Sequence, residues 1–151
     1  MKRGAAVLAL LAIFALPAHA QSLSGRLADI PDISFETWQE MTNGKTVVYE
    51  LDGEIFGLEA YRKDSNRVLF RTATGICDRG TWAMDGPAFC FQWEASGEDC
   101  FLHKQMDGEI FIIGLDNGVA TDNIQKVARI ADIPVACGPA LLSQLMPEAL
   151  P

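Results

Sequence analysis

Between Asp52-Gly53 and Asn117-Gly118 the chain returns again and again to a turn-type cluster: Asp52-Gly53, Lys63-Asp64-Ser65-Asn66, Thr74-Gly75, Asp85-Gly86, Ser96-Gly97, Asp107-Gly108 and finally Asn117-Gly118. Gly53, Asp64, Gly75, Gly86, Gly97 and Gly108 fall 11 residues apart. Asp-Gly and Asn-Gly between apolar and aromatic runs are strong hairpin signals, because a type I′ turn needs positive φ at both central residues. Evenly spaced short strands joined by tight turns predict an all-β fold, an antiparallel up-and-down meander closed as a barrel or packed as a sandwich. Eight strands are expected, at 45–51, 54–62, 67–73, 76–84, 88–94, 98–105, 109–115 and 121–130, in a small closed or nearly closed barrel.

The alternation within these segments agrees. Phe89, Phe91 and Trp93 share one face while Cys90 and Gln92 take the other, and Val68 and Phe70 oppose Arg67 and Arg71. Ile110-Phe111-Ile112-Ile113 is a continuous apolar run, which predicts a strand covered on both faces. Asp-Gly-Glu-Ile-Phe occurs at 52–56 and again at 107–111. Strands five apart in an up-and-down meander run in opposite directions, so the two copies are read as convergence on a good hairpin sequence. Before the meander, 21–33 reads as a polar leader. Ser34 is placed to cap a short helix from Phe35 to Met41, with Phe35, Trp38 and Met41 at helical spacing and Asn43-Gly44 ending it. Such a helix can plug one end of a barrel or lie across a sheet. A last short helix is expected over 138–146, limited by Pro147 and Pro151.

Residues 1–20 have the three parts of a secretory signal: Lys2 and Arg3, an apolar core from Ala5 to Leu16, and Ala18-His19-Ala20 before the cleavage point. The apolar run is too short to span a bilayer. The expected product is one domain, 21–151, in the periplasm or secreted. Removing the signal leaves 10 basic against 20 acidic groups. That balance argues against nucleic acid or an anionic membrane as partner, and with no second apolar stretch long enough to cross a bilayer, no stable membrane insertion is expected. The four cysteines, Cys77, Cys90, Cys100 and Cys137, all lie in the exported part and read as two disulfides. Three pairings are open. The hairpin spacing favours Cys90 with Cys100, which leaves Cys77 with Cys137. One histidine remains after cleavage, so no zinc site is expected, and no metal or cofactor is assigned.

Gly75-Ile76-Cys77-Asp78-Arg79-Gly80-Thr81-Trp82, followed by Phe89-Cys90-Phe91-Gln92-Trp93 and then Cys100-Phe101, resembles a pattern in small exported proteins of alphaproteobacteria. There it runs G-x-C-x-x-G-x-W, C-F-x-W or C-F-x-Y, and C. The resemblance covers about residues 35–105. It belongs to proteins of unassigned function and implies no catalytic or binding residue here.

Candidate chemistry is sparse. His103, Ser96 and Asp107 are the nearest approach to a hydrolytic triad, but no G-x-S-x-G elbow is present, and His103 reads as a strand residue on a half-exposed face. Asp52, Glu54, Asp107, Glu109 and Asp116 are turn-borne acids that read as solvated. The aromatics Trp82, Phe91 and Trp93, with Phe89 and Phe101, can either line a ligand cavity or simply fill the interior. Arg62, Lys63, Arg67, Arg71 and Arg79 make segment 62–79 net positive in an acidic chain. Arg67 and Arg71 are therefore candidates for an anionic ligand, against the plainer reading of cross-strand pairing between Arg71 and Asp78. The function expected is a non-enzymatic binding or interaction module for a small molecule or protein. A secreted inhibitor of a partner enzyme is the alternative, and a hydrolase a more distant one.

Overall fold

The computed structural model describes residues 22–138. The expected signal segment lies outside them, as does the helix expected over 138–146 from residue 139 on. The eight strands are β1 (Thr46–Leu51), β2 (Glu54–Tyr61), β3 (Arg67–Thr72), β4 (Cys77–Asp85), β5 (Ala88–Trp93), β6 (Gly97–Met106), β7 (Glu109–Asp116) and β8 (Val119–Ala131). Each pairs antiparallel with the next, and β1 pairs with β8 to close the barrel. Two short helices precede it, α1 (Leu23–Ala28) and α2 (Phe35–Thr42).

Turn chemistry sets the frame. Asp52, Asp107 and Asn117 have φ of 52°, 55° and 49°, and the glycine after each is also positive, as a type I′ turn requires. At the β4–β5 turn Gly86 has φ of 56° and is followed by Pro87, the arrangement of a type II′ turn. The β3–β4 connection differs from expectation. Thr72 N–H donates to Ile76 O, so Ala73, Thr74 and Gly75 form a three-residue loop with Gly75 in the left-handed region. A two-residue loop at Thr74-Gly75 would set Arg71 opposite Asp78. The extra residue shifts the register by one, and Arg71 lies opposite Cys77 while Phe70 lies opposite Asp78. Because strand side chains alternate, that shift puts Arg71 and Asp78 on opposite faces of the sheet. The expected pair does not form.

The helices bury what the strands leave open. Ser34 caps α2, its Oγ accepting from Thr37 N–H at 3.2 Å. Trp38 is fully buried and inserts into the end of the barrel where β1 begins and β2 finishes, against Tyr61, Phe89 and His103. The segment 21–33, expected to be a polar leader, contains α1 instead. Ser22 caps it, and Leu27 packs at zero exposure on the outer face of the barrel against Phe111 and Ile113. This is the second cover that the apolar run at 110–113 calls for. β6 outruns β5, whose pairing with it ends at Phe89–Phe101, and the segment 30–33 takes the free edge. There Ile33 N–H donates to His103 O, and Lys104 Nζ reaches both Ile30 O and the Asp32 carboxylate. Both disulfides are present, Cys90–Cys100 across the β5–β6 hairpin and Cys77–Cys137 between β4 and the segment after β8. Paired thiols of this kind belong to chains that fold in an oxidising, extracytoplasmic environment.

Candidate functional site

Alternation decides which side chains enter the barrel, and the inward set divides by height. At the plugged end Trp38, Tyr61, Trp82 and Phe89 pack ring against ring. Towards the other end the inward residues stop filling the space. They enclose a cavity of about 610 Å³, walled by Tyr49, Phe56, Phe70, Phe91, Trp93 and Phe101. Its mouth lies between the β3–β4, β5–β6 and β7–β8 ends, where Asp78, Ser96, Asp99, Thr121 and Asn123 reach it. Volumes of 300–1,000 Å³ with aromatic walls and a few polar groups are usual for small-molecule sites, and eight strands is the barrel size that just admits one small guest.

Local structure shapes this space. A bulge in the β1–β2 pairing falls between Tyr49 and Glu50, so that Tyr49 opposes Gly57 and Glu50 opposes Ile55. Phe56 is the extra residue and also turns inward. A Cβ on Gly57 would collide with the Phe70 ring, so the missing side chain there is what lets Phe70 lie across the wall.

At the floor of the cavity lies Glu59, 3% exposed. Its Oε2 accepts from Tyr49 Oη at 2.5 Å and from Tyr61 Oη at 3.0 Å, while Trp38 Nε1 donates to Tyr61 Oη at 3.2 Å. Burial raises the Glu59 carboxyl to about 7, against the opposing pull of the two tyrosine hydrogen bonds. Burial first, then the Glu59 charge, pushes both phenols well above their ordinary range. His103 is 1% exposed and stacks on Phe89 at 4.1 Å with a 6° interplanar angle. Neither ring nitrogen has a hydrogen-bond partner, and burial lowers its pKa to about 3, so the imidazole is neutral. The half-exposed strand histidine expected from the sequence is therefore a buried one that borders the cavity. Asp78, at the mouth, is held below the usual carboxylate range. Desolvation is the largest single influence and works the other way, but the hydrogen bonds from Ser96 Oγ and from the Ala95 and Ser96 N–H groups together outweigh it.

The candidate residues scatter. Phe91 and Trp93 stack face to face at 5.5 Å in the cavity wall. Trp82 lies below them in the packed end, in contact with Phe35 of the plug, its indole N–H unpartnered. Arg67 is on the outer surface, in a shallow groove with Arg62 and Arg79. Arg71 is 5% exposed, its guanidinium donating to Ala136 O and Gly138 O, so it clamps the segment after β8 and is unavailable to a ligand. Ser96 and Asp107 sit in turns at opposite ends of the barrel, so no triad assembles with His103. Among the described residues no group of three or more His, Cys, Asp or Glu side chains is gathered to hold a metal. No helix among them is long and apolar enough to cross a membrane.

Comparison with protein-family models, curated proteins and solved structures finds no match to this chain.

Proposed function

We propose that this protein is a non-enzymatic binding module that takes one small, largely apolar molecule into the open half of its barrel. The observation that carries the reading is the aromatic-walled cavity, open at one end and floored by Glu59 and its tyrosines. An interior that served stability alone would be filled, since cores are packed to crystal density. The inhibitor reading draws no support from the hairpins, which are short and present no long loop to a partner. We further propose that the chain is exported to the periplasm. The signal-like residues 1–20 and the two disulfides support this. In that case the exported form begins at Gln21, and recovery of an intact Met1 form from periplasm counts against it.

The binding test is a titration with N-phenylnaphthylamine, a neutral apolar fluorophore. The expected result is saturable enhancement at one site per chain. A Phe70→Ala change, which enlarges the cavity wall, should alter the affinity, whereas Arg67→Ala on the outer surface should not. Absence of saturable binding to the folded protein overturns the reading.

A further inference from the structure

The charged groups around the cavity are all of one sign. Glu59 lies at the floor and Asp78 and Asp99 at the mouth, and no lysine or arginine is among the lining residues. The arginines of β3 project outward, Arg67 to the outer groove and Arg71 to the backbone carbonyls of 136 and 138. His103, the remaining basic side chain in the lining, is neutral. Walls of low dielectric concentrate the field of such carboxylates, which draws in cations and repels anions. Six aromatic rings line much of the remaining wall, beside Ile112, Leu115 and uncharged polar side chains, and their faces attract a positive charge further. Glu59 uses only Oε2 for its tyrosine donors, and Oε1 receives no side-chain donor among the described residues.

Resting on the binding function proposed above, we propose that the guest is a small organic cation, an amine or quaternary ammonium on an apolar body, with its charge at Glu59 and its apolar part between the aromatic walls. The carboxylate fixes the sign, and the rings supply most of the contact area.

The test uses three probes on one carbon skeleton: naphthylethylamine, naphthylethanol and naphthylacetate, titrated calorimetrically at pH 8. The amine is expected to bind about tenfold or more tighter than the alcohol, a difference of about 1.4 kcal/mol, and the acid weakest. Glu59→Gln, which keeps an acceptor for both tyrosines, should abolish the amine's advantage and leave the alcohol's affinity within about twofold. Equal or tighter binding of the alcohol or acid overturns the charge inference and leaves the binding function standing. Failure of all three probes together with N-phenylnaphthylamine overturns both.

A second measurement on the unaltered protein keeps the proposal falsifiable should Glu59→Gln not fold. Amine affinity should rise about tenfold between pH 6 and pH 8 as Glu59 ionises through about 7, while alcohol affinity stays level. The titratable groups near Glu59 are Tyr49 of β1, Tyr61 of its own strand and His103 of β6. The phenols stay protonated and the imidazole neutral across that window. Asp78 and Asp99 lie at the mouth, and Glu36 and Glu40 of α2 are exposed. A flat amine profile overturns the inference.

Discussion

Glu59 and His103 are both almost wholly buried, and their pKa values move in opposite directions. The folded protein holds a proton on Glu59 up to about 7, where the unfolded chain releases it near 4.5. That raised value means stability present below pH 4.5 and lost as pH rises through 7, on the order of 3 kcal/mol. His103 binds its proton only near 3 in the fold but near 6.5 when unfolded, so its contribution is lost as pH falls from 6.5 towards 3. Between about 4.5 and 6.5 the two slopes cancel, and their joint profile is a plateau. Glu59→Gln removes one slope. The stability of this variant relative to the unaltered protein should therefore increase from pH 5 to pH 8, as read by chemical denaturation at each pH. A difference that stays constant across that range would show that Glu59 titrates normally. The site was only partly legible at this scale. Phe91 and Trp93 declare themselves by alternation. Glu59 shares the inward parity of Tyr61 two residues on, and that was the available signal. A lone glutamate in a strand ordinarily faces water, and only closure of the barrel with Tyr49 brought to it by the β1–β2 pairing makes it interior. For His103 the burial comes from the Trp38 and Phe89 rings, neither of which is local in sequence.

The strands were legible almost to the residue, because turn glycines and period-two patterning report the same boundaries. The register of β3 against β4 was not. Two- and three-residue loops use the same Thr-Gly composition, and the choice between them inverts every facing on one strand. The glycine-cysteine-tryptophan motif at 75–82 now has physical content. Gly75 makes the left-handed turn, Cys77 carries the link to Cys137, and Gly80 sits where a Cβ would lie 2.5 Å from Gln92 O of the neighbouring strand. Backbone at that distance cannot swing aside. Gly80→Ala should cost about 1–3 kcal/mol of stability, as overpacking of a rigid site does. Gly86→Val meets open space but demands positive φ from a β-branched residue, and should cost roughly 1–3 kcal/mol through strain. Thermal melts separate the two cases when each site is also filled with d-alanine. A d-residue takes the positive φ of a type II′ turn without strain, so d-alanine in place of Gly86 should recover most of the loss, while d-alanine in place of Gly80 should not. Equal recovery at both sites would refute the steric account of Gly80.

Over the whole molecule, the meander folds through near-neighbour pairings, and few long connections hold the chain ends. Cys77–Cys137 spans 60 residues and Cys90–Cys100 spans 10. On a chain-entropy account the long link stabilises by about 4 kcal/mol and the short one by about 3. Losing the long link also frees the segment that Arg71 holds through its carbonyls. Cys77→Ser with Cys137→Ser should thus lower the melting temperature more than Cys90→Ser with Cys100→Ser, and limited proteolysis should cut near residue 136 in the first variant only. Equal melting of the two double variants would show that the tail clamp contributes nothing beyond the hairpin link. The plug at the opposite end has a different consequence. With Trp38 seated among Tyr61, Phe89 and His103, the barrel is a cup and not a pipe. On the binding function proposed above, a guest leaves by the rim it came in through, so that arrival and departure are governed by the same few turns around one doorway.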